Sequence, residues 1–180
     1  MSTVAPAQDL RYPVGKFVYS TELTSSQRRE AIDRIQSTPA KLRAAVRGLS
    51  TQQLDTPYRP GGWTVRQVVH HLPDSHGNAF FRTKHALTED EPTIKAYDEQ
   101  RWAELADARV TPVETSLSLL DAIHERWNYI LREIKEEEFS RTLRHPEHGL
   151  KTIDWLIALY AWHGEHHVAH ITSLRSREGW

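Results

Sequence analysis

Four long segments of the chain repeat apolar residues every three or four positions, which is the spacing of one helix face, and this pattern restricts the fold more than any other feature of the sequence. The segments cover residues 25–49, 64–88, 113–135 and 153–179. Thr64 and Thr152 stand before or at the start of the second and fourth segments and are typical helix N-caps. No comparable series of strand patterns lies between the segments. The sequence therefore predicts an all-α fold, a four-helix bundle.

The rest of the chain is predicted to form an arm and connections. Residues 1–22 lack periodicity and are expected to be an extended N-terminal arm. The long connection 89–112 joins helices two and three, and YDEQRWAELA within it predicts a short helix; connections of this length are often functional. The turn-rich stretch 143–152 predicts a small hairpin. Residues 1–180 are expected to form a single domain.

Two of the predicted helices contain a proline. Pro39 is expected to break or kink the first helix, because it removes a backbone donor and clashes with the preceding turn. Pro73 is expected to kink the second helix without ending it, since apolar and histidine positions keep their spacing on both sides.

Charge and cysteine content exclude several classes of function. The 23 basic and 24 acidic residues are interspersed and give a net charge of -1, which does not favour a nucleic-acid partner. No apolar run approaches the roughly 20 residues of a membrane span, and no secretory signal is present, so we expect no membrane partner and a cytoplasmic location. Because the chain has no cysteine, a bound metal must be held by nitrogen and oxygen, and thiol chemistry requires a thiol from a substrate.

Four histidines lie within YAWHGEHHVAH, residues 160–170. Residues four apart share a helix face, so His163 pairs with His167 and His166 pairs with His170. At about 100° per residue, His170 also returns to within about 20° of His163. Two imidazoles at this spacing can supply two metal ligands from one rigid element. No glutamate follows the first histidine of HGEHH, so the motif lacks the base of the HExxH metalloproteases.

A second cluster, VVHHLPDSH at residues 68–76, offers a third ligand. His70 and His71 are adjacent and therefore about 100° apart on a helix, so only one is expected to point inward. Val68, Leu72 and Ser75 neighbour His71 on its face, whereas His70 shares a side with Arg66 and lies nearer the polar flank, which favours His71. Asp74 is a candidate acceptor that would fix the tautomer of a ligand.

Periodicity leaves a second interpretation open, because histidines on an inward stripe also occur as hydrogen-bonded core residues. His170 is a candidate fourth ligand or a residue that orients a ligand. Tyr160 and His124 are candidate hydrogen-bonding groups of a pocket or packing residues. Arg59 is a candidate contact for an anionic carboxylate or a brace of its own turn. The remaining aromatic and histidine side chains of interest are expected in the core (Trp63, Trp155, Trp162) or in solvent (His145, His148).

The run LDTPYRPGGWTVRQVVHHLPDSHGNAFFR, followed by ALTEDEPTIKAYDEQRWAEL and later by LYAWHGEHHVAHIT, resembles the YfiT branch of the DinB superfamily. The similarity extends from LRYPVGKF to the last helix. It implies a four-helix bundle that carries one divalent metal ion held by three histidines. Matched by position, these ligands are His71, His163 and His167, in agreement with the helix stripes. Pro73 departs from the alanine expected in the family pattern HHLADSH.

Three protein nitrogens leave at least one coordination position of a metal open, which is typical of catalytic sites. The main hypothesis that the resemblance implies is a transferase that conjugates a low-molecular-weight thiol, such as bacillithiol or mycothiol, to an electrophilic small molecule through a metal-bound thiolate. The first alternative is a hydrolase that uses metal-activated water. Zinc is the expected metal and nickel the alternative.

A further alternative is a non-catalytic metal-binding dimer. The resemblance favours a homodimer, and Trp102 and Trp180 are candidates for its surface. Access to the metal distinguishes these hypotheses: a connection 89–112 and an arm that close over the site without a pocket would remove support for an enzyme.

Overall fold

The computed structural model describes residues 9–19 and 22–180, and helices dominate it. Its elements in chain order are α1 Ser25–Val46, α2 Thr51–Leu54, α3 Val65–Thr88, α4 Glu99–Trp102, α5 Ala106–Val110, α6 Val113–Glu133, a 3-10 helix Glu136–Ser140, β1 Thr142–His145, β2 Gly149–Thr152 and α7 Ile153–Glu178. The long helices α1, α3, α6 and α7 correspond to the four amphipathic segments. The predicted four-helix bundle is confirmed.

Side-chain caps set where three of the long helices begin. Thr24, Thr64 and Thr152 each accept a hydrogen bond from the backbone N–H three residues further on. At Thr24 and Thr64, a glutamine side chain accepts a bond from the backbone N–H of the cap and completes a capping box. α7 ends at Gly179, whose φ of 70° lies in the left-handed region that glycine adopts readily.

The bundle is built mainly from the pairs α1 with α7 and α3 with α6, and contacts of α1 with α6 and of α3 with α7 complete it. The apolar stripes enclose two core clusters. Trp127 and Leu156 are fully buried in the first cluster, and Leu72 and Leu120 are fully buried in the second. Each such side chain contributes about 1.5–3 kcal/mol through removal of its surface from water.

Both prolines lie inside continuous helices, so the predicted break at Pro39 is absent and α3 runs on past Pro73 as expected. A proline inside a helix cannot donate to the carbonyl four residues before it. Pro39 therefore leaves the carbonyl of Ile35 without its usual helix donor, and this carbonyl is free to accept a hydrogen bond from elsewhere.

α1 and α7 approach each other closely at Gly164. A Cβ atom placed on Gly164 would lie 2.4 Å from Oγ1 of Thr38 in α1, well inside contact distance. Glycine at this position therefore allows the histidine-rich part of α7 to pack directly against α1.

The hairpin predicted within 143–152 is present as the antiparallel pair β1 and β2, with Thr142 opposite Thr152. Arg144 joins it to the long connection, because its N–H donates to the carbonyl of Pro92 and its carbonyl accepts from the N–H of Ile94. The connection contains two short helices, α4 and α5, where one was predicted.

The described part of the arm, residues 9–19 and 22, contains no helix or strand, and the rest of the predicted arm lies outside the described residues. The arm packs on α7, since Nε1 of Trp162 donates to the carbonyl of Gly15 at 3.1 Å. Trp102 is 40% exposed, as expected, whereas Trp180 is half-buried against the second core cluster and not fully exposed. Their place in a dimer surface stays a prediction. No helix in the described ranges has the length and apolar character needed to span a bilayer.

Candidate metal centre

The packing of α3 against α7 brings together the three histidines selected from the sequence. His71 comes from α3, and His163 and His167 come from successive turns of α7. One ring nitrogen from each lies within 4.8 Å of the other two. Nε2 of His71 and Nε2 of His163 are 3.2 Å apart.

Burial keeps these three rings neutral. It lowers the pKa of His71 to about 3, and it lowers the pKa values of His163 and His167 well below that of a free histidine. Repulsion from neighbouring histidines adds a smaller effect in the same direction. A neutral imidazole offers the lone pair that a metal ligand needs, so the three side chains are ready to coordinate without releasing a proton.

The geometry of the group fits a divalent ion. Two nitrogens at about 2.0–2.1 Å from a tetrahedral zinc are roughly 3.3 Å apart, close to the separation of the Nε2 atoms of His71 and His163. His167 makes no ring hydrogen bond to any described residue, and its Nδ1 atom is buried without a partner among them. Buried polar atoms rarely remain unpaired in proteins.

A line of histidines continues from His163 into the bundle core. Nδ1 of His163 is 3.2 Å from Nε2 of His76 in α3, and Nδ1 of His76 is 2.8 Å from Nε2 of His124 in α6. His76 is fully buried and His124 almost so. This chain of ring nitrogens holds His163 in place from the side away from His71.

The line ends near the carbonyl left free by Pro39. Burial lowers the pKa of His124 to about 4, and the backbone of Ile35 opposes this shift, as an acceptor does. Among the described residues, Nδ1 of His124 has no hydrogen-bond partner that meets standard geometry. The proline in α1 thus leaves an acceptor at the end of the histidine line.

Two hydroxyl groups lie beside the three histidines. Oγ of Ser75 is 3.4 Å from Nε2 of His163 and 3.4 Å from the hydroxyl of Tyr160. Burial raises the pKa of Tyr160, with Ser75 and Arg82 opposing the shift. Tyr160 therefore remains a protonated hydrogen-bond donor at neutral pH.

The second pair on α7, His166 and His170, lies on the arm side of His167. His166 stacks on Trp162 and His170 stacks on Tyr58, with ring centroids 4.4 Å and 3.9 Å apart. Nε2 of His170 lies 3.2 Å from the carbonyl of Arg11. One ring nitrogen from each of His166, His167 and His170 also lies within 4.8 Å of the others, so His170 remains a candidate additional ligand.

A pocket of about 360 Å³ opens beside the three rings. His71, His163 and His167 line it, together with aromatic residues from the turn after α2, the long connection and α7 (Trp63, Tyr97, Trp162). The described arm and connection therefore leave access to the histidines, which is the condition that the sequence analysis set for an enzyme.

Other predicted site residues occupy different surroundings. The carboxylate of Asp74 makes no hydrogen bond to a histidine within the described ranges, and burial raises its pKa to about 6. His76, and not Asp74, contacts the second nitrogen of His163. Arg59 lines the pocket, but it also braces its turn by donating to the hydroxyl of Tyr58 and the carbonyl of Pro60.

Two of the three remaining histidines differ from expectation in their burial. His70 is buried like His71, because it faces away from the pocket and contacts Ser116 Oγ at 2.7 Å and the carbonyl of Thr111 at 3.1 Å. His145 is buried and not solvated, since β1 places it against Trp155; burial lowers its pKa to about 4. His148 is exposed as expected.

The tryptophans expected in the core also differ in burial. Trp155 is buried, as predicted, while Trp63 and Trp162 are half-buried and line the pocket.

Sequence reasoning did not select His76 or Arg82, although both carry a signal. His76 falls on the apolar stripe of α3, one turn after Leu72, and an inward histidine needs a partner. Arg82 follows His71 by about three helical turns, so the two side chains lie within about 20° of each other around the axis of α3. An arginine on the same face as a candidate ligand is a candidate pocket residue.

The family model described as the DinB superfamily matches residues 34–171. The chain belongs to the DinB superfamily. A protein of Bacillus cereus is 51% identical over 172 residues, which cover 96% of this chain and 99% of the relative. A protein of Oceanobacillus iheyensis is 51% identical over 170 residues, covering 94% and 98%. Both carry the provisional name of metal-dependent hydrolase.

Solved structures agree with this assignment to the DinB superfamily. YfiT from Bacillus subtilis matches with a TM-score of 0.92 and 45% identity, over 95% of this chain and 98% of that chain. It is described, again provisionally, as a metal-dependent hydrolase with an unusual four-helix bundle topology. Another four-helix bundle protein matches with a TM-score of 0.55 at 21% identity and supports the fold alone. The predicted resemblance to YfiT is confirmed.

Proposed function

We propose that this chain is a metal-dependent enzyme that binds one divalent ion, zinc or nickel, through His71, His163 and His167. The observation that carries the proposal is a set of three neutral imidazoles, buried at His71 and His167 and half-buried at His163, whose nitrogens converge at the wall of an open pocket. The provisional names of the Bacillus cereus protein and of YfiT support metal-dependent catalysis.

A divalent ion held by three nitrogens supplies Lewis acidity and an open position, where the pKa of a bound thiol or water falls. The chain's own contribution begins with orientation. His163 must present the lone pair of Nε2, so its Nδ1–H donates to His76, and His76 in turn donates from Nδ1 to His124. Such partners fix the tautomer and the ring orientation of a ligand.

Ser75 lines the pocket beside His163, and its hydroxyl contacts the hydroxyl of Tyr160. Because the pKa of Tyr160 is raised, its hydroxyl is available to donate a hydrogen bond to a negatively charged group that develops nearby. The aromatic wall beside these groups excludes water from part of the pocket and favours a small organic substrate.

The reaction that we favour is transfer of a low-molecular-weight thiol to an electrophilic small molecule. Among the described residues, no carboxylate contacts His71, His163 or His167, and no acidic residue affects their pKa values. Hydrolysis usually requires a positioned base or acid beside the reacting water. A thiol needs only to lose its proton, which metal coordination already promotes.

The second candidate is hydrolysis by metal-activated water, which the names of the relatives favour. A non-catalytic metal-binding dimer is less well supported, because it gives no role to the open pocket beside the histidines. The homodimer expected from the resemblance is compatible with either reaction.

Cobalt substitution can separate the two reactions. Titration of the cobalt-loaded protein with cysteine, 2-mercaptoethanol and other small thiols is expected to produce a sulfur-to-cobalt charge-transfer band. The zinc-loaded protein is expected to conjugate the same thiols to a chloronitrobenzene, whereas His167→Ala is expected to do neither.

The control is His148→Ala, which removes an exposed histidine from the pocket rim. It should retain both the band and the conjugation. Absence of a band with every thiol, together with turnover of ester or amide substrates that is lost in His167→Ala, would establish hydrolysis instead.

A further inference from the structure

Arg82 is a buried arginine that has no carboxylate partner in the part of the chain that the structure describes. It lies on α3 and is 7% exposed. One guanidinium nitrogen, Nη2, donates to the carbonyl of Lys95 in the long connection at 2.9 Å. Its Nε atom is buried and has no hydrogen-bond partner within the described ranges. A charged donor left unpaired in this way is costly unless a ligand or another group satisfies it.

The other two buried arginines of the described chain are neutralised. Arg28 binds both carboxylate oxygens of Asp154, and Arg66 donates from Nε to Asp55 at 2.7 Å. Arg82 forms no ion pair within residues 9–19 and 22–180. Its uncompensated charge is therefore a particular feature of the pocket and not the general condition of buried arginines in this protein.

Arg82 lines the same pocket as the candidate metal ligands. It follows His71 by eleven residues on α3, which is about 16 Å along the helix axis. Because side chains tilt toward the helix N-terminus, the guanidinium group leans back toward Ser75 and the histidines. The pocket thus has three imidazoles at one place and an unpaired cation further along its wall.

We propose that Arg82 binds the carboxylate of the small molecule whose reactive group lies at the three histidines. This inference rests on the proposed function and specifies its substrate class as an anionic carboxylic acid. A guanidinium group matches a carboxylate in shape and charge, and the unpaired Nε–H supplies a donor for it.

Other charged residues of the pocket fit this role less well. Arg59 is half-buried and already donates to Tyr58 and Pro60. The acidic residues Glu99 and Glu147 are exposed, and neither forms a hydrogen bond or ion pair with Arg82 in the described chain. The buried cation is therefore left for a ligand.

Four matched probes separate this inference from the proposed thiol chemistry: hexanoate, hexanol, 6-mercaptohexanoate and 6-mercaptohexanol. Their Kd values for the zinc-loaded native protein are measured by calorimetry. Each acid should bind about tenfold or more tightly than the matching alcohol, both with the thiol group (6-mercaptohexanoate against 6-mercaptohexanol) and without it (hexanoate against hexanol). The thiol group should strengthen binding independently in both the acid and the alcohol pair.

The same measurements on Arg82→Met should remove the preference for the acids and leave the gain from the thiol group. Arg82→Lys retains a charge and should keep part of the preference. The matched control is Arg29→Met, which removes an arginine from an exposed site on α1 outside this pocket. It should bind like the native protein, and circular dichroism checks the helix content of each variant.

Equal binding of acid and alcohol by the native protein overturns the role of Arg82, even if Arg82→Met does not fold. A preference that survives in a folded Arg82→Met also overturns it. If the carboxylate strengthens binding and the thiol group does not, Arg82 keeps its role and the thiol-transfer proposal fails. If only the thiol group strengthens binding, the thiol-transfer proposal keeps its support and the role of Arg82 fails.

Discussion

The start and the middle of α7 both bury strongly polar side chains, but they satisfy them differently. At the start, Asp154 accepts from the N–H of Leu23 and from two nitrogens of Arg28, whose third nitrogen binds Glu136. In the middle, His166, His167 and His170 each have a buried Nδ1 atom that finds no partner among the described residues.

This difference indicates which polar groups serve the fold and which serve a ligand. The Arg28–Asp154 cluster is complete within the protein and ties α1 and the arm to α7. The histidine region, with Arg82, is complete only when something binds, because buried polar groups are normally paired. Changes in the first region should therefore alter stability, and changes in the second should alter binding.

The largest expected effect follows from Asp154→Ala, which leaves Arg28 buried with only the exposed Glu136 as a charged partner. Breaking a buried pair of this kind costs about 3–5 kcal/mol. Urea unfolding should show this loss. The exposed pair of Asp33 with Arg132 provides the control, and Asp33→Ala should change stability by less than about 1 kcal/mol. Equal, small losses in the two variants would contradict the comparison.

His167→Ala should affect binding and not stability: helix content should change little, and metal affinity should fall strongly. Zinc sites bind with free energies on the order of 10 kcal/mol, so losing one of three ligands costs roughly 3 kcal/mol, more than about a hundredfold in Kd. Zinc titration in competition with a chelating dye gives both values. His166→Ala should bind zinc almost normally; full zinc occupancy in His167→Ala would refute the ligand set.

His76→Ala should weaken zinc binding by about 10–100-fold, because His163 loses the partner that orients its ring. The effect should be smaller than that of His167→Ala and accompanied by some loss of stability, since His76 is fully buried. His148→Ala, at the exposed rim, serves as control. Unchanged zinc affinity in a folded His76→Ala would exclude an orienting role for the histidine line.

Gly164→Ala should give the smallest effect. The added methyl group meets Thr38, and the resulting overpacking of about 1–3 kcal/mol is partly offset by the better helix propensity of alanine. A net loss of about 1–2 kcal/mol is expected in urea unfolding. At Gly77 in α3, the nearest atom to a new Cβ is 3.5 Å away, so Gly77→Ala should be neutral or stabilising. Equal effects at both positions would mean that α1 and α7 do not depend on this close approach.

The sequence allowed prediction of the parts of the fold that depend on local patterns. The caps at Thr64 and Thr152, the end of α7 at Gly179 and the hairpin all follow from residues close in the chain. The pairing of His71 with His163 and His167 was also within reach, because helix periodicity places each on one face and the family resemblance relates the two helices.

Features that require contacts between distant segments were not predictable from such patterns. The line from His163 through His76 to His124 joins three helices, and no local spacing relates them. Arg82 is buried beneath the long connection, and His145 is buried where the hairpin packs on Trp155 of α7. Asp74 was assigned as an acceptor from its position one turn after His71, but that spacing does not determine which residue α7 meets.

X-ray absorption spectroscopy of the zinc-loaded protein tests the central claim most directly. The account predicts one zinc ion per chain with three imidazole nitrogens at about 2.0–2.1 Å, and two in His167→Ala loaded with excess zinc. A spectrum with fewer than three imidazoles in the native protein, or one that His167→Ala leaves unchanged, would contradict it.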